Sequence, residues 1–254
     1  MEFHVQRHGT IPSTSDVAFE ALRAETARHG DVHVASAQTA GRGRLGRAWH
    51  SAPGEGLYSS VVLLPERVLS PAGLTIAAGL AVRDAVLQLG LAQARLKWPN
   101  DLVVPAAHGA AKLAGILVET RGLDAARPHY VVGIGVNVAQ QDFPRELLAE
   151  RPVASLATCG VKVDVEAVLA AVLAALRLRL AQIESDELAL TRDYLDATGL
   201  MSGDVRVVTG SAEIVGRIRE FDLKRGVTLE TRAHGAQTAL LEVVREISAL
   251  HHVH

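Results

Sequence analysis

The sequence predicts a fold of mixed class: helices and hairpin-connected strands build a large domain over residues 1–200, and a small β-barrel follows over 201–254. Three observations carry that reading. Apolar residues recur at helical spacing in several separate stretches. Four strand-like runs between 95 and 138 are joined by connections too short for helical crossovers. After Gly199 the chain breaks into short strands divided by glycines and polar turns.

Each element has its own warrant. Ser13, Thr14, Ser15 and Asp16 offer N-caps for a helix that Glu20, Leu22 and Ala27 continue and Gly30 stops. Residues 31–37 alternate as a strand, and 57–64 are apolar and β-branched enough for a buried one ended by Pro65. From 71 to 89, Leu74, Ala77, Ala81, Val82 and Ala85 keep helical spacing until Gly90. Strands are expected at 95–98, 101–104, 113–120 and 129–138, with 105–111 a small-residue loop. Helices resume at 164–183 and from 186 to about 197; the small domain takes strands at 204–208, 212–219, 227–230, 237–242 and 244–247.

Composition narrows the function classes. Hydrophobic residues at 48% and charged residues at 21% are those of a globular protein and argue against extended disorder. A net charge of −2 removes any broad electrostatic case for nucleic acid, so basic segments must be read locally. The one cysteine, Cys159, allows no internal disulfide and fits a reducing compartment. No signal segment opens the chain, and the most apolar helical run, 165–176, is too short to span a bilayer. A cytoplasmic protein is expected. His251, His252 and His254 read as a frayed tail before they read as a metal site.

Chemistry concentrates in four places. The run from Gly41 through Arg42, Gly43, Arg44, Leu45, Gly46, Arg47 and Ala48 to Trp49 alternates guanidinium groups with glycines. Such a loop can fold over an anion with uncovered amides and fork-shaped cations, or it can be a solvated turn. Ser13, Thr14 and Ser15 at a helix start, with Gln38 at a strand end, offer donors and acceptors to a cyclic amide, or simply cap and cover. Lys97, Trp98, Pro99, Asn100 and Asp101 put a cation and a carboxylate on either side of a stiff turn, beside which one phosphate chain would fit. Lys112 begins an otherwise apolar strand, an odd place for a cation unless it points into a site. Gly115, Gly133 and Gly135 interrupt strands where glycine is costly, which suggests close approach of a ligand; a bulge is the competing explanation.

The order Ser-Thr-Ser, Gln-Thr-Ala-Gly-Arg-Gly-Arg-Leu-Gly-Arg-Ala-Trp, Lys-Trp-Pro-Asn-Asp, Lys-Leu-Ala-Gly-Ile-Leu-Val-Glu and Gly-Ile-Gly-Val-Asn resembles the biotin–protein ligases, specifically from Ser13 to Asn137 and more loosely beyond. The resemblance implies an α+β, mixed-sheet catalytic domain of the biotin/lipoate ligase type with a small C-terminal SH3-like β-barrel. It implies ATP and biotin as substrates, Mg²⁺ as cofactor, and a biotin carboxyl carrier protein as acceptor. Lys112, Arg44 and Arg42 are the expected catalytic residues. Biotin would meet Ser13, Thr14, Ser15, Gln38, Gly41, Arg42, Gly43, Arg44 and Lys112 over a floor of Gly115 and Gly133. ATP would meet Arg42, Arg44, Arg47, Trp49, Lys97, Asn100, Lys112 and Asn137, and Asp101 would hold the metal. Ser15 departs from the asparagine expected there, and only residues 1–12 precede the first motif, too few for the DNA-binding module of the repressor members. A ligase-only form with no nucleic-acid or membrane partner is therefore expected, and an exposed sheet edge would suit a homodimer. The rivals are a lipoate or octanoate ligase on the same architecture, and a protein that binds biotin without transferring it.

Overall fold

Strand alternation decides which face of the main sheet is greasy and which carries chemistry. In the computed structural model, residues 1–250 are described apart from 108, 123, 125, 211, 233, 234 and 242; the histidines at 251, 252 and 254 and the predicted strand end at 242 lie outside the described residues. Among them, β1 (His4–Ile11), β2 (Asp31–Gln38), β3 (Gly56–Leu63), β4 (Arg95–Lys97), β5 (Asp101–Ala106), β6 (Gly109–Glu119) and β7 (Tyr130–Asn137) form one sheet in the order β1-β2-β3-β7-β6-β5-β4. β1 runs parallel to β2 and every other pair is antiparallel, so the sheet is mixed. Val132, Ile134 and Val136 of β7, with Ala114 and Ile116 of β6, join the main core. Their alternates Gly133, Gly135 and Asn137, and Gly115, must face the opposite side.

Helices cover the two faces unequally. α2 (Pro71–Gln88) buries residues on most of its circumference, as a helix between two layers must, and α4 (Val165–Ser185) packs on it. Arg179 of α4 ties Asp84 of α2 to Asp193 of α5 (Glu187–Thr198), donating to Asp84 at 2.7 Å and to Asp193. On the other face α1 (Thr14–Arg23) covers only a corner, where Ala18 and Phe19 pack with Val62 and Val131. The rest of that face is left for the site.

Several expectations need correction. α1 ends at Arg23 well short of Gly30: Glu25 takes the left-handed conformation at φ 55°, and Ala27 packs against the Phe19 cluster without being helical. β1 was not foreseen, because an edge strand with a mostly exposed, irregular pattern carries no alternation signal. Residues 105–106 and 109–111 are strand, with Pro105 opposite Ala110 and Ala106 opposite Gly109 in the β5–β6 hairpin. β4 pairs no further than Val103, so Pro105 is asked for no bond on that side. α3 (Arg145–Glu150), one short helix, was also missed.

The small sheet contains β8 (Asp204–Val208), β9 (Glu213–Asp222), β10 (Gly226–Thr231), β11 (Gly235–Ala239) and β12 (Glu246–Ala249), antiparallel in the order β11-β10-β9-β8-β12. Among the described residues its two ends do not pair, so the sheet is open rather than a closed barrel. Trp98 joins it to the large domain: the indole N–H donates to Val244 O at 3.3 Å, and the ring packs edge-on against Tyr194 and Phe221. No helix is long and apolar enough among the described residues to cross a membrane.

The outer strands carry a pH-sensitive contact. His33 of β2 is 2% exposed, with Nδ1 3.1 Å from Nε2 of His8 on β1. Burial first, and then His8, push its pKa below the usual imidazole value, while Asp31 pulls weakly the other way. A depressed folded-state pKa means stability that is full above the unfolded value and falls as pH drops below it. The melting temperature should therefore fall by a few degrees between about pH 7.5 and about pH 5.5, and His33→Gln should flatten that slope. Parallel pH profiles for the two proteins would contradict the assignment.

Candidate active site

A hydroxyl and amide network closes one end of the open sheet face. Thr14, at the first turn of α1, donates its N–H (2.8 Å) and Oγ1 (3.1 Å) to Oε1 of Gln38. Ser60 Oγ lies 2.8 Å from Thr14 Oγ1 and 3.1 Å from Ser15 Oγ. Gln38 Nε2 donates to Ser51 Oγ at 3.1 Å. Ser13 is the N-cap by position but makes no side-chain capping bond, so its hydroxyl is not spent on the helix. Ser51 and Ser60 were missed in the sequence; the serines at 59 and 60 within the buried run of β3 were a visible signal for the second, while Ser51, in the segment before β3, carried none. Tyr58 borders the same pocket and donates to Ala52 O at 2.9 Å; burial pushes its phenol up to about 12, so it stays a neutral donor.

The glycine floor has a reason that spacing alone did not show. The indole of Trp49 lies flat on it: a Cβ on Gly135 would stand 2.5 Å from the ring, and one on Gly115 3.0 Å from it. A Cβ on Gly133 would meet Leu117 O at 3.3 Å and Ser15 Oγ at 3.6 Å. Trp49 thus partitions the face into two cavities. One holds Thr14, Ser15, Gln38, Ser60 and the glycines; the other holds Arg44, Arg47, Asp101, Asn137 and Phe143. Lys112 and Asn100 line both.

The Gly-Arg run is an ordered hairpin. Gly43 N donates to Arg47 O at 2.7 Å and Trp49 N to Gly41 O at 2.9 Å, and Arg42 bridges Ala48. Gly41 has no room for a side chain, since a Cβ would stand 2.7 Å from Trp49 O. At the tip Leu45 takes φ 57° and is 84% exposed. The Arg42 guanidinium does not stand free for an anion, as the sequence suggested. Its fork grips Asp16 at 2.7 and 2.9 Å and lies 3.7 Å from Glu119, so it straps the loop to α1. Arg121 reinforces the strap, donating at 3.0 Å to the same Asp16 Oδ1 that Arg42 Nη2 contacts. Arg44 does enter the second cavity, where burial lowers its pKa and Asp101 opposes the shift.

Lys112 is the centre of the arrangement. Its side chain is 15% exposed, Nζ is 2.6 Å from Asp101 Oδ1, and the ammonium sits 5.3 Å from the centroid of the Trp49 ring. Burial lowers its pKa, Asp101 raises it again, and Arg151 and Arg47 lower it further. The backbone is clamped by the segment after α3: Lys112 N donates to Pro152 O and Ala154 N to Lys112 O, each at 2.9 Å. Asn137 spends its amide on Ala154 O at 2.8 Å, which holds that clamp in place beside the second cavity. Asn100 Nδ2 donates to Ile116 O at 2.7 Å. Lys97 lies at a shallower basin with Arg47, Asp101, Lys112 and Arg151. Among the described residues no three His, Cys, Asp or Glu side chains converge as a metal cage.

Comparison with known proteins places this geometry. Residues 9–137 match the Biotin/lipoate A/B protein ligase family. The biotin--[acetyl-CoA-carboxylase] ligase of Paracoccus denitrificans is 35% identical over 222 residues, covering 84% of this chain and 89% of that one. The bifunctional ligase/repressor BirA of Escherichia coli (strain K12) is 33% identical over 207 residues, covering 80% of this chain and 62% of BirA. The Bacillus subtilis (strain 168) BirA is 38% identical over 147 residues, 57% of this chain, and the match takes in 44% of it. The chain thus spans only about half of these BirA relatives. The biotin protein ligase from Aquifex aeolicus in complex with biotin and ATP superposes with a TM-score of 0.76 at 27% identity, over 96% of this chain and 97% of that one. With five motifs gathered on one sheet face and a family match across half its length, this chain belongs to the biotin/lipoate A/B protein ligases.

Proposed function

We propose that the protein activates biotin with ATP as biotinyl-5′-AMP and transfers the acyl group to a lysine of a biotin carboxyl carrier domain. The observation that carries this is the largely but not fully buried Lys112 on the boundary between two cavities, one lined by hydroxyls and amides and one by cations. A carboxylate and a phosphate repel one another, and an ammonium between them removes that barrier to approach. The relatives support the choice of acid: the Paracoccus protein is named a biotin ligase, and the Aquifex structure holds biotin and ATP.

Each residue then has a task. Ser13, Thr14, Ser15 and Gln38, with Ser60 behind them, would meet the ureido ring, whose donors and acceptors match hydroxyls and an amide. Gly115 and Gly133 leave room for the bicycle, and Gly41 and Gly43 let the lid approach. Lys112 would bridge the biotin carboxylate and the α-phosphate. Arg44 would hold the adenylate, while Arg47 and Lys97 face the outer phosphates. Arg42 acts through Asp16 as the strap of the lid, with Trp49 as its inner wall and Asn137 as the support behind the nucleotide cavity. The neutral ε-amine of the acceptor lysine attacks the acyl carbon, the bond from that carbon to the anhydride oxygen breaks with its electron pair leaving on AMP, and the nitrogen gives up a proton to solvent as the amide forms.

Asp101 fits a magnesium ion that arrives on the triphosphate, because such an ion asks for one or two carboxylates and keeps its remaining ligands from phosphate and water. It is the one carboxylate among the residues lining the second cavity. Bound there with Asn100 beside it, Mg²⁺ would neutralise phosphate charge. The lone Cys159 suits a reducing, cytoplasmic setting, and a homodimer through a sheet edge is part of this reading.

The reading is checked by pyrophosphate exchange with biotin, lipoate and octanoate compared side by side. Biotin should support exchange at low concentration, and lipoate or octanoate as the better substrate would overturn it. Arg44→Ala should release free biotinyl-AMP and label bystander amines at least about tenfold more than wild type, since the half-buried guanidinium would no longer retain the adenylate. Unchanged leakage would remove that role. Gly135→Val should displace the Trp49 indole and weaken both biotin and ATP, read as KM rises with the fold retained; unaltered constants would show that the ring is not a wall of either cavity.

A further inference from the structure

We infer that Arg151 is a further catalytic residue: it binds the outer phosphates of ATP and carries the pyrophosphate as it leaves. This rests on the reaction proposed above, but the anion site itself can be tested without it.

Arg151 follows α3 directly, and its N–H donates to Leu147 O at 3.2 Å as the helix ends. The next residue, Pro152, accepts from Lys112 N, and Val153 forms a parallel bridge with Lys112. Two cations distant in sequence therefore stand on one backbone unit. Arg151 borders both the second cavity and the basin where Arg47, Lys97 and Lys112 meet Asp101 and Glu150. It is a quarter exposed, and its ion pair is with the well-exposed side chain of Glu150 at 3.4 Å. Such a surface pair is worth little and is readily exchanged for a stronger anion.

Other arginines make the contrast. The Arg42 fork is occupied by Asp16, and Arg179 is locked between Asp84 and Asp193. Arg151 is not retired in this way, and its planar fork suits a phosphate bidentately. Lys112 is already matched by Asp101. Pyrophosphate, the most highly charged species of the first step, needs cations beyond that pair. As the carboxylate oxygen of biotin bonds to the α-phosphorus, the bond from that phosphorus to the bridging oxygen breaks. The electron pair departs on pyrophosphate, and Arg151 with Arg47 and Lys97 receives that charge.

Inorganic pyrophosphate titrated calorimetrically into wild type, Arg151→Ala and Arg151→Lys tests the site. Wild type should bind it, Arg151→Ala about tenfold more weakly, and Arg151→Lys in between. In exchange assays Arg151→Ala should raise KM for ATP and pyrophosphate and leave that for biotin unchanged. Transfer from preformed biotinyl-AMP, which involves no pyrophosphate, should keep its wild-type rate. Equal pyrophosphate affinity in wild type and Arg151→Ala, or no binding to wild type, would overturn the inference, as would a transfer step slowed as much as exchange. If wild type binds pyrophosphate through Arg151 but no acid supports exchange, the anion site stands and the proposed reaction falls.

Discussion

An ammonium drawn largely out of water must be answered by a negative charge, and that constraint organises this site. Lys112 emerges from a strand whose neighbours Leu113 and Ala114 are fully buried, so its cation is drawn out of water on one side. Asp101 supplies the answering charge from the adjacent strand, and the Trp49 ring presents its face. The ring and the ammonium can both lie there only because the sheet beneath is bare: a Cβ on Gly115 would crowd Trp49 and the Lys112 side chain, and one on Gly135 would meet the Trp49 ring. A charge held in this way is matched but incompletely solvated. In the function proposed above, such a charge would meet an incoming anion with little rearrangement, the condition under which electrostatic catalysis costs least at the moment of reaction.

The lid is built on the opposite principle. Its glycines allow close approach, and one arginine is withdrawn from the chemistry to hold the loop down. The Asp16 carboxylate is kept below the usual range chiefly by its hydrogen bond from Arg42, and Arg121 adds to it. With both groups partly exposed, this strap is a modest restraint on the loop. Leu45, exposed at the tip, is the part of the lid that faces outward.

Contiguous motifs were legible in the sequence because chemistry and backbone conformation are written in the same few residues. Lys97 to Asp101 and the Gly41 to Trp49 run could be read that way, and so could the glycines of β6 and β7. What escaped was whatever depends on a distant partner. The type of Arg42 announced an anion binder, but only folding shows that Asp16 takes its fork. Ser51 and Ser60 become part of a network only when Gln38 and Thr14 are brought to them. β1 owes its pairing to β2 and not to any pattern of its own, and Ala27 satisfied a helical spacing while packing outside the helix. Arg151 stayed invisible because it is brought to the site by its neighbours Pro152 and Val153, which pair with Lys112.

The account turns on Lys112 as the charge that brings two anions together, and biotin-dependent pyrophosphate exchange by Lys112→Gln measures it most directly. With the fold verified by an unchanged circular dichroism spectrum, exchange should fall by about 10²-fold or more, the usual cost of losing a charge-stabilising donor. Exchange within a few-fold of wild type would mean that the ammonium is a structural partner of Asp101 and nothing more.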